Sequence, residues 1–304
     1  MDRQDRPSQS SQTPIEKIIE REKALLTYEG DDRVVDGETY EKTRANEPPR
    51  QTFHVPSLPR LSELLHGFRT KEINIISGYT GFGKTLLAKT INHDFMGQGL
   101  KTMFFSYENS PLNILPSEPE LKKNCFFLPL KLKSMNVPWL IDRIEEGKSK
   151  YGASVVFIDH LHYIIDMSLQ VNMSLNIGGV MRVLVQAAQE LNIMIFLIAH
   201  TAKPRPDADM PTRHDARDSS LIGQEAANFL IAHRISNQAA ERLDSQYANK
   251  KNTPGRSENF GGGHGLIGIE KARDEEAGQE AYGKKIHTIK NGPYLEEWGL
   301  QTEE

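Results

Sequence analysis

The most restrictive feature of this chain is the run Gly78-Tyr79-Thr80-Gly81-Phe82-Gly83-Lys84-Thr85, which satisfies G-x-x-x-x-G-K-[ST] in full. It follows an apolar, β-rich stretch, Ile73–Ser77, and opens a helical one, Lys84–Phe95. A glycine-rich turn between a strand and a helix lets backbone N–H groups curl around phosphates. The helix N-terminus adds a favourable dipole. In that setting Gly78, Thr80, Gly81 and Gly83 form the cradle, Lys84 reaches the β- and γ-phosphates, and Thr85 ligates Mg²⁺. The expected cofactors are ATP, or another nucleoside triphosphate, and Mg²⁺. The competing reading is a chance match, and the strand–loop–helix context weighs against it.

The same alternation continues downstream. Apolar runs at Thr102–Ser106, Val155–Asp159, Ile193–Ala199 and Phe229–His233 are separated by helical stretches that include Pro138–Lys150 and Gly178–Leu191. Continuously apolar strands alternating with helices predict a mostly parallel sheet covered on both faces, an α/β fold. Leu266–Lys271, Lys285–Ile289 and Tyr294–Trp298 read as further strands. Residues 236–264 are polar and close on Gly261-Gly262-Gly263, which reads as an insertion in a domain over 59–304. Ahead of that domain, 1–13 reads as a disordered tail and 30–58 as a charged, Pro-rich linker. Between them, 14–29 reads as an amphipathic helix. Thr13 and Glu16 can form its capping box, and Ile15, Ile18, Ile19, Leu25 and Leu26 line one side.

In a parallel sheet the carboxyl ends of the strands share one edge, so polar residues there meet the phosphate loop. Asp159 ends Val155-Val156-Phe157-Ile158 and suits the Mg²⁺ hydration shell; the bland alternative is an acid capping a buried strand. Glu108 follows Thr102–Tyr107 and could orient an attacking water, or could be a solvated loop acid. His200 ends Ile193–Ala199 and could sense the γ-phosphate, although lone histidines are more often structural.

Composition adds bounds rather than direction. The 304 residues are 38% hydrophobic and 26% charged, with net charge −4 and a pI near 6.2, so no overall basic character advertises nucleic-acid binding. A single cysteine, Cys125, excludes an internal disulfide and a cysteine-rich zinc site. No apolar run approaches bilayer length and no targeting signal is seen, so no membrane partner is expected. The expected location is the cytoplasm, or a host's cytoplasm if the chain is phage-encoded.

The order of these motifs resembles the DnaB-like replicative helicase family, superfamily 4, with its RecA-like ATPase core, especially the phage primase-helicase and Twinkle branches. The matching stretches are SGYTGFGKT at Ser77–Thr85, FFSYEN at Phe104–Asn109 and VVFIDHLHYI at Val155–Ile164. LIAHTAKP at Leu197–Pro204, DSSLIGQEAANFLIAH at Asp218–His233 and IEKAR at Ile269–Arg273 complete them. Ala227-Asn228 stands where the family has Ala-Asp, and the stretch after Glu108 is shorter and richer in proline than the family's.

The resemblance implies a hexameric ring with ATP bound between subunits and 14–29 as a linker helix packing on a neighbour. It casts Glu108 as the base and Lys271 and Arg273 as residues reaching a neighbour's γ-phosphate. It implies movement 5′→3′ on single-stranded DNA during replication, gripped by central loops at 167–179 and 203–217. The second loop carries Lys203, Arg205, Arg213 and Arg217, but four aspartates nearly cancel their charge and no aromatic offers stacking. A separate primase or polymerase is the expected partner. The alternatives are a RecA- or KaiC-like ATPase that assembles on DNA or protein without unwinding, and an accessory module that kept the fold and lost turnover.

Overall fold

The computed structural model describes residues 14–30, 32–45, 48–165, 173–201, 212–213, 219–235, 264–273 and 280–297. The chain divides into two compact units, 1–49 and 50–304. The expected tail 1–13, with the Thr13 cap, and most of the insertion, 236–263, lie outside the described residues.

The first unit holds two helices, α1 (Pro14–Leu26) and α2 (Gly37–Arg44). None of α1 is buried, and Ile15, Ile18, Ile19, Leu25 and Leu26 are all exposed. Helix α2 lies within the stretch expected to be linker. Its start is fixed by Asp36, whose carboxylate accepts from the Thr39 N–H at 3.0 Å. It contains no aliphatic side chain, so no apolar periodicity announces it.

The second unit opens earlier than residue 59. A two-residue strand β1 (Thr52–Phe53) precedes helix α3 (Pro59–Leu64) and pairs antiparallel with β2 (Phe68–Arg69), while Val55 and Leu58 are fully buried. The main elements follow in order: β3 (Glu72–Gly78), α4 (Lys84–Gly97), β4 (Thr102–Ser106), α5 (Pro119–Asn124), β5 (Phe126–Phe127) and α6 (Val137–Tyr151). Then come β6 (Val155–Asp159), α7 (Met173–Glu190), β7 (Met194–His200), α8 (Ser219–Glu225) and β8 (Asn228–Arg234). Strands β9 (His264–Ala272), β10 (Lys285–Asn291) and β11 (Tyr294–Glu297) close the unit. Helix α7 begins before the expected residue 178, so 173–179, read as part of a central loop, is helical.

The strands form a nine-stranded sheet in the order β11-β10-β9-β8-β3-β7-β6-β4-β5. From β8 to β5 every pairing is parallel, and β8 to β11 pair antiparallel. Both faces of the parallel part are covered. Along β6, Val155 and Phe157 pack into one core with α4, whereas Val156 and Ile158 pack into the other with α6 and α7. On the first face, Phe104, Phe157 and Phe196 stack across β4, β6 and β7 with ring centroids 5.3 and 4.8 Å apart. Such pairs add about 0.5–1.5 kcal/mol each beyond area burial. The Asn that replaces the family's Asp is accommodated inside the sheet, where Asn228 Nδ2 donates to Asn74 Oδ1 at 2.8 Å between β8 and β3.

Helix α3 has a leucine, Leu58, at its cap position and no local side chain to receive its first N–H groups. The acceptor comes from β11. Glu297 takes the N–H of Arg60 and of Leu61, each at 2.9 Å. Burial pushes the Glu297 carboxyl up, and the two N–H groups pull it back. Glu297→Ala removes both acceptors and is expected to cost about 1–2 kcal/mol, as for a lost cap. The check is urea unfolding, in which the midpoint should fall with little change in slope.

Candidate active site

Strand order reverses at β3, whose parallel neighbours β7 and β8 lie on opposite sides. This is where an open α/β sheet leaves a crevice at its carboxyl edge. The loop leaving β3 is set by glycine at two kinds of position. Gly78 has φ +147°, and a Cβ there would fall 2.3 Å from the Ala232 carbonyl oxygen, so the loop and β8 touch backbone to backbone. Gly83 has φ +95° with open space around it, so its requirement is conformational; it is the residue from which α4 starts.

Lys84 and Thr85 begin α4 and turn into the crevice. Lys84 is buried, and its Nζ donates to the Tyr79 carbonyl at 3.0 Å. Burial lowers its pKa, while the carboxylates of Glu108 and Asp159 oppose that shift. Thr85 Oγ1 donates to Asp159 Oδ2 at 2.9 Å. Asp159 is fully buried, and its Oδ1 makes no hydrogen bond among the described residues. Burial pushes the Asp159 carboxyl up, and the Thr85 hydroxyl draws it back down. A buried carboxylate with one oxygen uncommitted beside a threonine hydroxyl is an all-oxygen donor set. Such a set suits a hard divalent cation such as Mg²⁺.

Glu108 completes the edge from the end of β4. Its Oε2 lies 3.2 Å from His200 Nε2 and 3.4 Å from His160 Nδ1. His200 in turn places Nδ1 3.4 Å from Thr80 Oγ1, so its ring bridges the phosphate loop and Glu108. His160 is a residue that sequence reasoning did not single out. Burial, with His200 and His162 nearby, pushes its pKa down to about 3, so it is neutral. The signal was its position directly after Asp159 at the end of β6. Its ring packs edge-on against His200 and Tyr163, at 4.3 and 4.8 Å.

Two cavities flank the loop. One, of about 270 Å³, is lined by Gly81, Lys84, Thr85, Glu108 and Asn109. The other, of about 290 Å³, lies on the β8 side of the loop and is lined by Phe82, Leu86, His233, Leu266, Thr288 and Lys290, among others.

Lys271 and Arg273 lie elsewhere. Lys271 pairs with Phe229 and Ala272 with Asn228, at the start of β8, whereas the loop leaves the opposite end of β3. Lys271 Nζ donates to the carbonyls of Gly223 and Gln224 at 2.7 and 2.8 Å, and Arg273 to that of Glu225 at 3.4 Å. Both therefore cap the C-terminus of α8, where cations are favoured. Burial lowers the Lys271 pKa, and the charges of Arg273 and Arg213 lower it further. Arg213 donates its N–H to Glu270 at 3.2 Å and lies over the Tyr282 ring at 5.9 Å. Lys203, Arg205 and Arg217 lie outside the described residues.

The backbone contact at Gly78 allows a direct test of how the loop is held. Gly78→Ala is expected to destabilise the fold by about 1–3 kcal/mol through overpacking against β8. A lowered urea midpoint would report it, together with weakened nucleotide binding.

No family model matches the chain. A probable plasmid replicative DNA helicase from Chlamydia psittaci is 31% identical over 117 residues, covering 38% of this chain and 25% of that protein. The chain thus spans about a quarter of the length of the curated relative it matches. A solved structure of the ATPase domain of a DnaB-like helicase superposes with a TM-score of 0.62 at 16% identity, over 88% of this chain and all of that one. No helix among the described residues is long and apolar enough to cross a membrane. The chain has the RecA-like ATPase fold, and its resemblance to the DnaB-like replicative helicases is borne out by its likeness to the plasmid helicase.

Proposed function

We propose that this chain is the ATP-hydrolysing motor of a DNA helicase, acting as a hexameric ring that moves 5′→3′ on single-stranded DNA. The observation that carries the proposal is the convergence of Lys84, Thr85, Glu108, Asp159 and His200 on one edge of the sheet. The phosphates of ATP would enter the cavity beside Lys84, and the nucleoside would enter the cleft beside Phe82 and His233. Thr85 and Asp159 would hold Mg²⁺, which when bound neutralises charge on the phosphate oxygens. Glu108 orients the attacking water and takes its proton. His200 ties Glu108 to Thr80, so loss of the γ-phosphate would reach Glu108 and the chain that follows β7.

Support for a ring comes from the other edge. Lys271 and Arg273 lie away from the phosphate loop of their own chain, so to serve as charge-stabilising fingers they must act on a neighbour's ATP. The exposed apolar side of α1 would supply a second contact between copies. The likeness to a replicative helicase supports DNA as the track, gripped by the segments that carry Lys203, Arg205, Arg213 and Arg217. A separate primase or polymerase would act alongside it.

Strand displacement on a forked duplex tests the motor, with Lys84→Ala as control. Wild type should unwind in an ATP-dependent way, and the variant should lose at least about 100-fold in hydrolysis. If DNA stimulates hydrolysis but no strand is displaced, the reading shifts to a RecA- or KaiC-like ATPase. If neither occurs, DNA is not the track.

Shared sites make a separate prediction. Arg273→Ala alone should lose about 10³–10⁵-fold in kcat, as for a missing arginine finger. Mixing it with Lys84→Ala chains should restore part of the hydrolysis, because some interfaces regain both residues. No recovery at any ratio would exclude a finger acting between chains.

A further inference from the structure

The carboxyl edge of the sheet carries a second set of donors whose chemistry differs from that of the Thr85–Asp159 pair. Glu108, His160 and His200 present ligand atoms that all lie within 4.8 Å of one another. Glu108 Oε2 is 3.2 Å from His200 Nε2 and 3.4 Å from His160 Nδ1. A tetrahedral zinc-class ion, with bonds of about 2.0–2.2 Å, separates neighbouring ligand atoms by about 3.3–3.6 Å. Two of the three edges therefore already have nearly that spacing, and a small rotation of either ring closes the third.

Two further observations point to an ion rather than to a chance contact. His160 is buried, and its Nδ1, aimed at Glu108, makes no hydrogen bond. A buried polar atom left in that condition needs a partner. His200 turns its other ring nitrogen towards Thr80 Oγ1 at 3.4 Å. That is the kind of outer contact that fixes a metal-binding imidazole. Two imidazoles and one carboxylate favour Zn²⁺, Co²⁺ or Ni²⁺ over Mg²⁺, which prefers oxygen. The two neighbouring donor sets are thus sorted by ligand type.

We propose that Glu108, His160 and His200 form a binding site for a zinc-class divalent ion, and that the ion inhibits turnover by engaging the Glu108 carboxylate. Binding stands on the geometry alone. Inhibition rests on the proposed role of Glu108 as base, and the experiment separates the two.

The full chain is titrated with Co²⁺ without nucleotide, and the visible absorption of a four-coordinate Co²⁺ centre is followed. One equivalent per chain is expected, displaced by Zn²⁺. His160→Ala and His200→Ala should each weaken binding at least ~10-fold, as loss of even an outer partner does. Asp159→Asn, which alters the Mg²⁺ donors, should leave the absorption in place. His160→Gln provides a second variant at the same position, and circular dichroism confirms that each variant is folded. No visible band in wild type, an undiminished band in the folded His160 variants, or loss of the band in Asp159→Asn would overturn the site.

Inhibition is read as ATP hydrolysis at saturating Mg²⁺ with added Zn²⁺. It should fall in wild type and recover with chelator, and any hydrolysis retained by His160→Gln should resist Zn²⁺. Equal inhibition of wild type and His160→Gln would overturn the inhibitory role. A Co²⁺ band in a chain with no ATP hydrolysis would uphold the site while removing the proposed motor function.

Discussion

The parallel half of the sheet is covered on both faces, and this constraint organises the rest of the molecule. A strand buried on two sides cannot carry unpaired polar groups along its length without a desolvation cost. Strands β6 and β7 are accordingly apolar until their last residue, which is Asp159 in one and His200 in the other. The exception, Asn74, is matched by Asn228 from the adjacent strand. Polar chemistry is thereby confined to strand ends, and parallel order brings those ends to one edge. Phosphate loop, carboxylates and histidines meet there because the sheet has nowhere else to put them.

That constraint also explains what could be read in advance. The long strands β3, β4, β6, β7 and β8 and the helices α4 and α6 lie within two residues of their expected bounds, because continuous apolar runs and helical periodicity write burial directly into residue order. The elements that escaped notice are short or polar. Strands β1, β2 and β5 have two residues each, too few for any period to show. Helix α2 has no buried face and depends on its Asp36 cap. Val55 and Leu58 were hidden among prolines and charges, although both are part of the core.

The site was legible where a residue's role follows from its place on a strand. Asp159 and His200 end apolar runs, Glu108 follows another, and the structure brings all three beside Lys84 and Thr85. His160 was not legible, because a histidine after a strand-end acid looks the same whether it faces solvent or the interior. Its orientation is settled by packing against His200 and Tyr163, and the first of these contacts joins distant parts of the chain. The placement of Lys271 and Arg273 was likewise invisible. It depends on β9 running antiparallel to β8, which turns its final residues towards the opposite edge from the phosphate loop.

The clasp between Glu297 and α3 bears on the order in which this unit can be assembled. The N–H groups it satisfies belong to the first helix of the unit, yet the carboxylate is made 236 residues after Leu61. During synthesis a chain emerges from its N-terminus, and helix α3 must wait for nearly the whole unit before its first turn is completed. β8 and β9 impose a similar delay on β3, whose flank is finished only by strands from far downstream. Contacts so remote in sequence slow folding, because chain entropy is lost well before the contacts offset it. A nascent chain of this protein would spend much of its elongation with an open β3 edge, a surface that chaperones are suited to shield.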